Sequence, residues 1–278
     1  MAAGNITPTS AAKFIAEKWT KKIEKPFYKS LYFKDAVMDR SELFADGGKI
    51  GHIPFLSQYD ARDKVAGTAI TYDANVETEI TLTINKHKYL GFLIEDITKV
   101  QASYAIQEAY RGAQTEAVLR AIDSDIAGLH ASAGTNVAGG ATADDVDMLS
   151  VVLALDLVDT PQTERTGIVH PKVMNDFRSI NKYVAYDQTG EKGLATSGKT
   201  AISNVYGFDL FMTNNVVVDT VSHNLFFHKS AISLAIQLKP TYKMEDSVDF
   251  IGVKSVLHTI YGFTVERAAS FVDLERTA

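Results

Sequence analysis

The spacing of hydrophobic positions changes several times along the chain, and each change marks an element. Ala12, Ile15, Ala16 and Trp19 recur at helical spacing, Thr9 or Ser10 can cap the start, and Pro26 ends the predicted helix. From 27 to 44 aromatic residues are scattered without a period. Such a segment has little to bury within itself, so it reads as an extended arm lying across something else. Ile50 and residues 52–55 predict a short strand. Farther on, Val76, Thr78, Ile80, Leu82 and Ile84 alternate with Glu77, Glu79, Thr81, Thr83 and Asn85, the period of a half-solvated strand that continues from 89 to 94. The two strands predict a long β-ribbon with a charged, loose tip over 57–73, holding few large apolar side chains. A ribbon alone is marginally stable in water, so its apolar face needs a partner from elsewhere.

Residues 97–130 form the longest helical pattern. No proline interrupts it, alanine is abundant, and Leu119, Ile122, Ile126 and Leu129 fall on one face, the side expected to pack on the rest of the chain. Such a helix would span roughly 50 Å. The glycines over 134–140 predict a flexible linker after it. Thr142 with Asp145 resembles a capping box ahead of the apolar run 146–158. Strands and helices then alternate: a strand at 166–170, a helix over 172–180 started by Pro171, a strand at 206–213 and a turn at Asn214 and Asn215. Further strands follow at 225–228, 231–238, 255–260 and 264–272. The expected class is α+β, with no internal repeat.

Composition narrows the function classes. Lys plus Arg is 28 against 34 for Asp plus Glu, a net charge of −6, and no basic run interrupts that balance. A protein gripping phosphates over a wide surface normally shows a basic excess, so contact with nucleic acid should be weak and local. Cysteine is absent, which excludes disulfides, a thiolate nucleophile and thiolate metal sites. The N-terminus lacks the pattern of a signal peptide, and no apolar run reaches the length of a membrane span.

Candidate chemistry is sparse. Residues 193–200 fit the phosphate-binding pattern G-x-x-x-x-G-K-[ST], with Lys199 and Thr200 at its end, and Val216, Val217 and Val218 lead into Asp219 like a magnesium-binding strand. That mechanism needs a buried strand before the loop and a helix starting at Lys199. Polar residues precede it and a β-like run follows, so it reads as a Gly-rich surface loop, with a nucleotide-binding enzyme as the alternative. Asp123 and Asp125 read as part of a solvated helix face, and Asp144, Asp145 and Asp147 as caps favoured by the helix dipole. The seven histidines (52, 87, 130, 170, 223, 228, 258) show no metal-binding spacing, His170 and His228 read as strand ends, and no G-x-S-x-G elbow is present. No catalytic, cofactor-binding or metal-ligating residue is expected, and the chain does not read as an enzyme.

The order of parts carries more information than any motif: arm, ribbon, long helix, mixed α/β lobe, return to β. Local phrases follow it, in residues 48–54 (GKIGHIP), 121–128 (AIDSDIAG), 167–171 (GIVHP), 205–214 (VYGFDLFMTN) and 261–267 (YGFTVER). Together they resemble the major capsid proteins of tailed bacteriophages, with the Hong Kong 97-type fold. The resemblance implies an N-terminal arm over 1–46, an E-loop ribbon over 47–95, a spine helix and the start of a peripheral domain over 96–140, an axial domain over 141–225, and axial and peripheral β-structure over 226–278. It also implies assembly of many copies into hexamers and pentamers of an icosahedral shell around double-stranded DNA, which is touched weakly and non-specifically. The place implied is the virion, assembled in the host cytoplasm without a membrane. A portal and a separate scaffolding protein, or a trimmed precursor, are implied too, because the arm starts at once where some relatives carry a scaffolding segment. At the ribbon tip, Tyr59, Asp60, Arg62, Asp63 and Lys64 are the expected contacts to neighbouring copies. Another phage structural subunit, of tail or decoration type, is the second alternative.

If 193–200 is only a loop, Lys199→Ala leaves assembly unchanged and the protein shows no saturable nucleotide binding. Micromolar ATP affinity that disappears in this variant would restore the phosphate-site reading.

Overall fold

The computed structural model describes residues 26–56, 59–70, 72, 77–101, 106–184 and 204–277. The helix expected around 12–19 and the loop at 193–200 lie outside them. Two sheets and a ribbon hold the strands. The first sheet joins β1 (Met38–Asp39), β10 (Ile232–Ser247), β11 (Gly252–Val265) and β4 (Lys86–Glu95), in that order. The second runs β5 (Thr135–Ala138), β12 (Phe271–Thr277), β9 (Val221–His228), β6 (Arg165–Val169), β8 (Phe208–Met212) and β7 (Asn204–Val205). The ribbon pairs β2 (Ile50–Leu56) with β3 (Glu77–Thr83).

The helices are α1 (Phe33–Ala36), α2 (Asp96–Gln101), α3 (Ile106–Ala127), α4 (Asp145–Asp156), α5 (Pro171–Ser179) and α6 (Asn181–Val184). One face of the second sheet is covered by α4 and α5, where Met148, Val151, Leu155, Val173 and Phe177 meet Phe208, Phe226 and Leu274. Pro171 opens α5 as expected, and the His170 ring accepts a bond from the Lys172 amide at 3.3 Å. On the other face lies α3, 22 residues long and so about 33 Å. Its Ile122 and Ile126 are fully buried, with Leu119 beside them, among Phe33, Phe227, Ile232, Tyr261 and Phe271. That core spans both sheets, because β9 runs into β10 and β11 into β12 through short 3-10 turns at Lys229–Ala231 and Ala268–Ser270. Buried Gln114 fixes the other half of α3, donating to the carbonyls of Leu90 at 3.2 Å and Ser255 at 3.1 Å.

The structure corrects several expectations. Residues 89–94 leave the ribbon: β4 pairs over ten residues with β11 instead, from Glu95 opposite Gly252 to Lys86 opposite Tyr261. An alternating pattern specifies a half-exposed strand but not its neighbour. The corner between β3 and β4 is made possible by Gly262, where a Cβ would stand 2.1 Å from the Thr83 carbonyl oxygen. The expected 134–140 linker contains β5, parallel to β12, and Gly134 is there for close approach to the Ala268 carbonyl rather than for flexibility. The capping box falls two residues later than expected. Asp144 accepts from the amides of Val146 and Asp147 at 2.9 and 3.0 Å, and the Asp147 carboxylate accepts from the Asp144 amide at 3.0 Å. The expected strand at 264–272 is broken by the crossing between sheets.

What the described part of the arm lies across is its own chain. Phe33, Val37 and Phe44 are buried within their own chain, Phe44 under the ribbon against Ile53 and Leu82. Thr213 donates to the Ser30 carbonyl at 2.6 Å, Lys29 to that of Asn214 at 2.9 Å, and Tyr32 stacks on Phe211. Phe27 stays wholly exposed.

Because Ile122 lies in the core shared by both sheets, Ile122→Asp should cost several kcal/mol against a typical stability of roughly 5–15 kcal/mol. Expression of this variant should yield insoluble protein, or protein without a cooperative thermal transition. Soluble variant with a normal circular dichroism spectrum and melting curve would contradict the packing.

Candidate inter-subunit contact surfaces

The ribbon is anchored at its base and free at its end. Its register runs from Ile50 opposite Thr83 to Leu56 opposite Glu77. Ile53 and Leu82 point into the core over Phe44, whereas Leu56, near the tip, is 79% exposed. Among the described residues of the tip, 59–70 and 72, none is buried. Tyr59, Asp60, Arg62, Asp63 and Lys64 are each exposed on this loop. Lys64 turns back on its own chain, donating to the carbonyls of Val65 at 2.9 Å and of Thr68. The Thr68 hydroxyl closes the same turn on Val65 at 2.8 Å. The tip is also more apolar than expected, since Tyr59, Val65, Ile70 and Tyr72 are each more than half exposed. The loop offers exposed apolar area and charges of both signs.

Two further exposed surfaces escaped the sequence reading. Helix α4 buries Met148, Val151 and Leu155, yet Val146, Leu149, Leu153 and Leu157 form a second stripe on its solvent side. The signal was present in the sequence, as a helix apolar all round has both faces covered in its working state. The other surface is the end of the β10–β11 hairpin, where Val248, Phe250 and Ile251 are exposed. Isolated exposed apolar residues are ordinary, but clusters mark interaction sites.

The carboxylates are structural locks. Asp123 is fully buried, contrary to its reading as solvated, because the arm crosses it: it accepts from the Lys34 amide and from the Asn215 side chain, each at 3.2 Å. Burial holds its carboxyl above the ordinary range, partly offset by these bonds. Asp125, also on the core side, accepts from the Tyr261 hydroxyl at 2.8 Å and pairs with Lys88 at 3.2 Å. Asp144 and Asp147 are caps, as expected. Asp145 instead gathers the hydroxyls of Tyr183 at 2.6 Å and Tyr206 at 2.8 Å and the ammonium of Lys182 at 3.0 Å, and the Tyr183 bond above all lowers its pKa. His228 ends β9 and accepts from the Ser230 amide at 3.2 Å. Asp219 lies in the loop before β9, exposed, and no described helix or strand frames it as a magnesium ligand. No helix among the described residues is long and apolar enough to cross a membrane.

No family model matches the sequence, and no curated protein does either. Solved structures do match. A structure from Mycobacterium phage Che8 is 26% identical, with a TM-score of 0.83, covering 94% of this chain and 97% of that one. The capsid structure of cyanophage P-SCSP1u aligns at a TM-score of 0.80 and 16% identity, over 98% and 95% of the two chains. The mature capsid of bacteriophage PhiM1 aligns at 0.75 and 12%, over 95% and 92%. The described residues have the mixed helix-and-sheet fold of phage capsid subunits.

The buried Asp123 makes stability depend on pH in a defined direction. Its folded-state pKa is raised, so its contribution is fully present below the ordinary aspartate range and is lost as pH rises through the folded value. Asp123→Asn lacks this component. In denaturant melts the wild type should therefore gain on Asp123→Asn as pH is lowered from neutral, while Asp123→Ala, which strands the Lys34 amide and Asn215, should lose about 1–3 kcal/mol. A gap between wild type and Asp123→Asn that does not change with pH would show that Asp123 is solvated.

Proposed function

We propose that this chain is the major capsid protein of a tailed bacteriophage, the repeated subunit of an icosahedral head shell around double-stranded DNA. The observation that supports this best is similarity over nearly the full length of both partners to a structure from Mycobacterium phage Che8, 26% identical, together with the shared fold of the phage capsid structures. The subunit's role in this reading is structural, and its work is binding to copies of itself, as hexamers and pentamers. Three exposed apolar surfaces suit that role: the ribbon tip, the outer stripe of α4 and the end of the β10–β11 hairpin. Burial of apolar area supplies the contact energy at roughly 25 cal/mol per Å². The mixed charges Asp60, Arg62 and Asp63 give the contact its register.

Within this reading 1–46 is the arm, 47–95 the E-loop with its lead into the sheet, 96–140 the spine and peripheral start, 141–225 the axial domain, and 226–278 the return. A portal, a separate scaffolding protein and weakly touched DNA are the further partners, and assembly takes place in the host cytoplasm. The net charge of −6 suits a wall that encloses DNA without gripping it. Electron microscopy of the purified or co-expressed chain tests the reading: shells, hexamers or pentamers are expected, whereas tubes would mean a tail subunit and a small oligomer with nucleotide turnover an enzyme.

The ribbon tip provides the residue-level test. Reversing Arg62 and Lys64 to Glu alters two exposed charges outside the core. One exposed pair is worth only about 0–1 kcal/mol, but a shell repeats the contact in every subunit. The double variant should melt near the wild-type temperature, apart from the small cost of losing the local interactions of Arg62 and Lys64, and should form few closed shells. Wild-type yields of shells would mean that the tip is not an assembly contact.

A further inference from the structure

The end of α3 meets the second sheet at a cluster that no sequence spacing could reveal. In the β9–β12 pairing Glu275 stands opposite His223, and Asp273 lies two residues earlier on the same face of β12. The three side chains each offer one ligand atom, all within 4.8 Å of one another. Asp273 is fully buried and His223 is 6% exposed. His223 Nδ1 lies 2.6 Å from Asp273 Oδ2, while Asp273 Oδ1 and His223 Nε2 have no hydrogen-bond partner. Asp219 Oδ1 is 3.6 Å from His223 Nε2, and the His130 ring lies flat on His223 with centroids 3.8 Å apart. Among the described residues no lysine or arginine pairs with Asp273 or Glu275; Arg276, next along the strand, pairs with Asp176 at 2.8 Å. Three carboxylates thus surround two imidazoles, one carboxylate wholly out of water with an oxygen left over. A buried carboxylate without a cation is costly.

We propose that His223, Asp273 and Glu275 bind a divalent transition-metal ion of the zinc class. One imidazole nitrogen with carboxylate oxygens is a donor set that such ions accept. With ligand atoms no more than 4.8 Å apart, an ion at their centre starts within about 2.8 Å of each, and the 2.0–2.2 Å of zinc bonds needs side-chain shifts below about 1 Å. His223 binds as neutral imidazole through Nδ1, where the ion replaces the hydrogen shared with Asp273. The ring proton is then carried on Nε2, facing Asp219. Asp219 then fixes the tautomer as the outer carboxylate of a carboxylate–histidine–metal arrangement. The ion crosslinks β9 to β12 directly beneath the end of α3.

The full-length protein, stripped with EDTA and dialysed, is titrated with zinc chloride by calorimetry and with cobalt chloride by visible absorption. One ion per chain should bind with micromolar or tighter affinity, give a tetrahedral or five-coordinate cobalt spectrum, and raise the melting temperature, while magnesium has no effect. Glu275→Gln should weaken binding at least about tenfold, and Asp219→Asn about 10–100-fold. Both positions lie outside the core, so both variants should keep the wild-type circular dichroism spectrum. His258→Gln is the control, because His258 and His87 form a separate exposed pair at 3.3 Å. Absence of stoichiometric binding, unchanged affinity in Glu275→Gln, or loss of binding in His258→Gln would each overturn the proposal.

Discussion

The subunit depends on one packing arrangement, in which two strand crossings between the sheets are closed by one helix. Each crossing brings a fully buried aromatic side chain to the same place, Phe227 from β9 and Phe271 at the start of β12, at right angles 6.0 Å apart. Ile122 and Ile126 of α3 close over them. The turns themselves are pinned by a buried acid: Glu266 accepts from Arg40 at 3.2 Å and from the Ser233 hydroxyl, while its amide bonds to the Ala231 carbonyl at 2.8 Å. Arm, first sheet and crossing are thereby joined by polar bonds as well as by apolar burial. The second sheet keeps a core of its own beneath α4 and α5, but this shared core ties it to the first sheet.

Much of this plan is legible in the sequence, for identifiable reasons. Helix α3 is readable because proline is absent and Leu119, Ile122 and Ile126 keep one face over several turns. Proline at 171 marks α5 through its fixed φ. What escapes reading is the choice of partner. The alternation from Lys86 to Glu95 is equally good for a ribbon or a sheet edge, and only β11, more than 150 residues away, decides between them. Asp123 looks solvated because its local context is polar; the arm that buries it is remote in sequence. Glycine at 134 suggests freedom when judged alone and close approach once the Ala268 carbonyl is beside it.

The candidate contact surfaces divide in the same way. The charged tip at 59–64 is local and was visible directly. The stripe on α4 was visible only as an excess of apolar residues, since periodicity does not say which of two apolar faces goes inward. Buried Met148, Val151 and Leu155 take the core side, which leaves Val146, Leu149, Leu153 and Leu157 outside. A subunit meant to stay single would carry polar residues there. Under the proposed shell function this second face would be covered only when neighbouring copies arrive.

The carboxylate of Asp145 holds Tyr183 of α6 and Tyr206, just beyond β7, and Lys182 bonds both to Asp145 and to the Tyr206 hydroxyl. These groups flank residues 185–203, so the two ends of that stretch are fastened to the start of α4 and to each other. Entropy of closing a loop grows only with the logarithm of its length, about 0.6 kcal/mol for each doubling. A clasp that brings the two flanks together meets that cost locally, and Asp145 thereby holds α6 and the turn after β7 beside the start of α4.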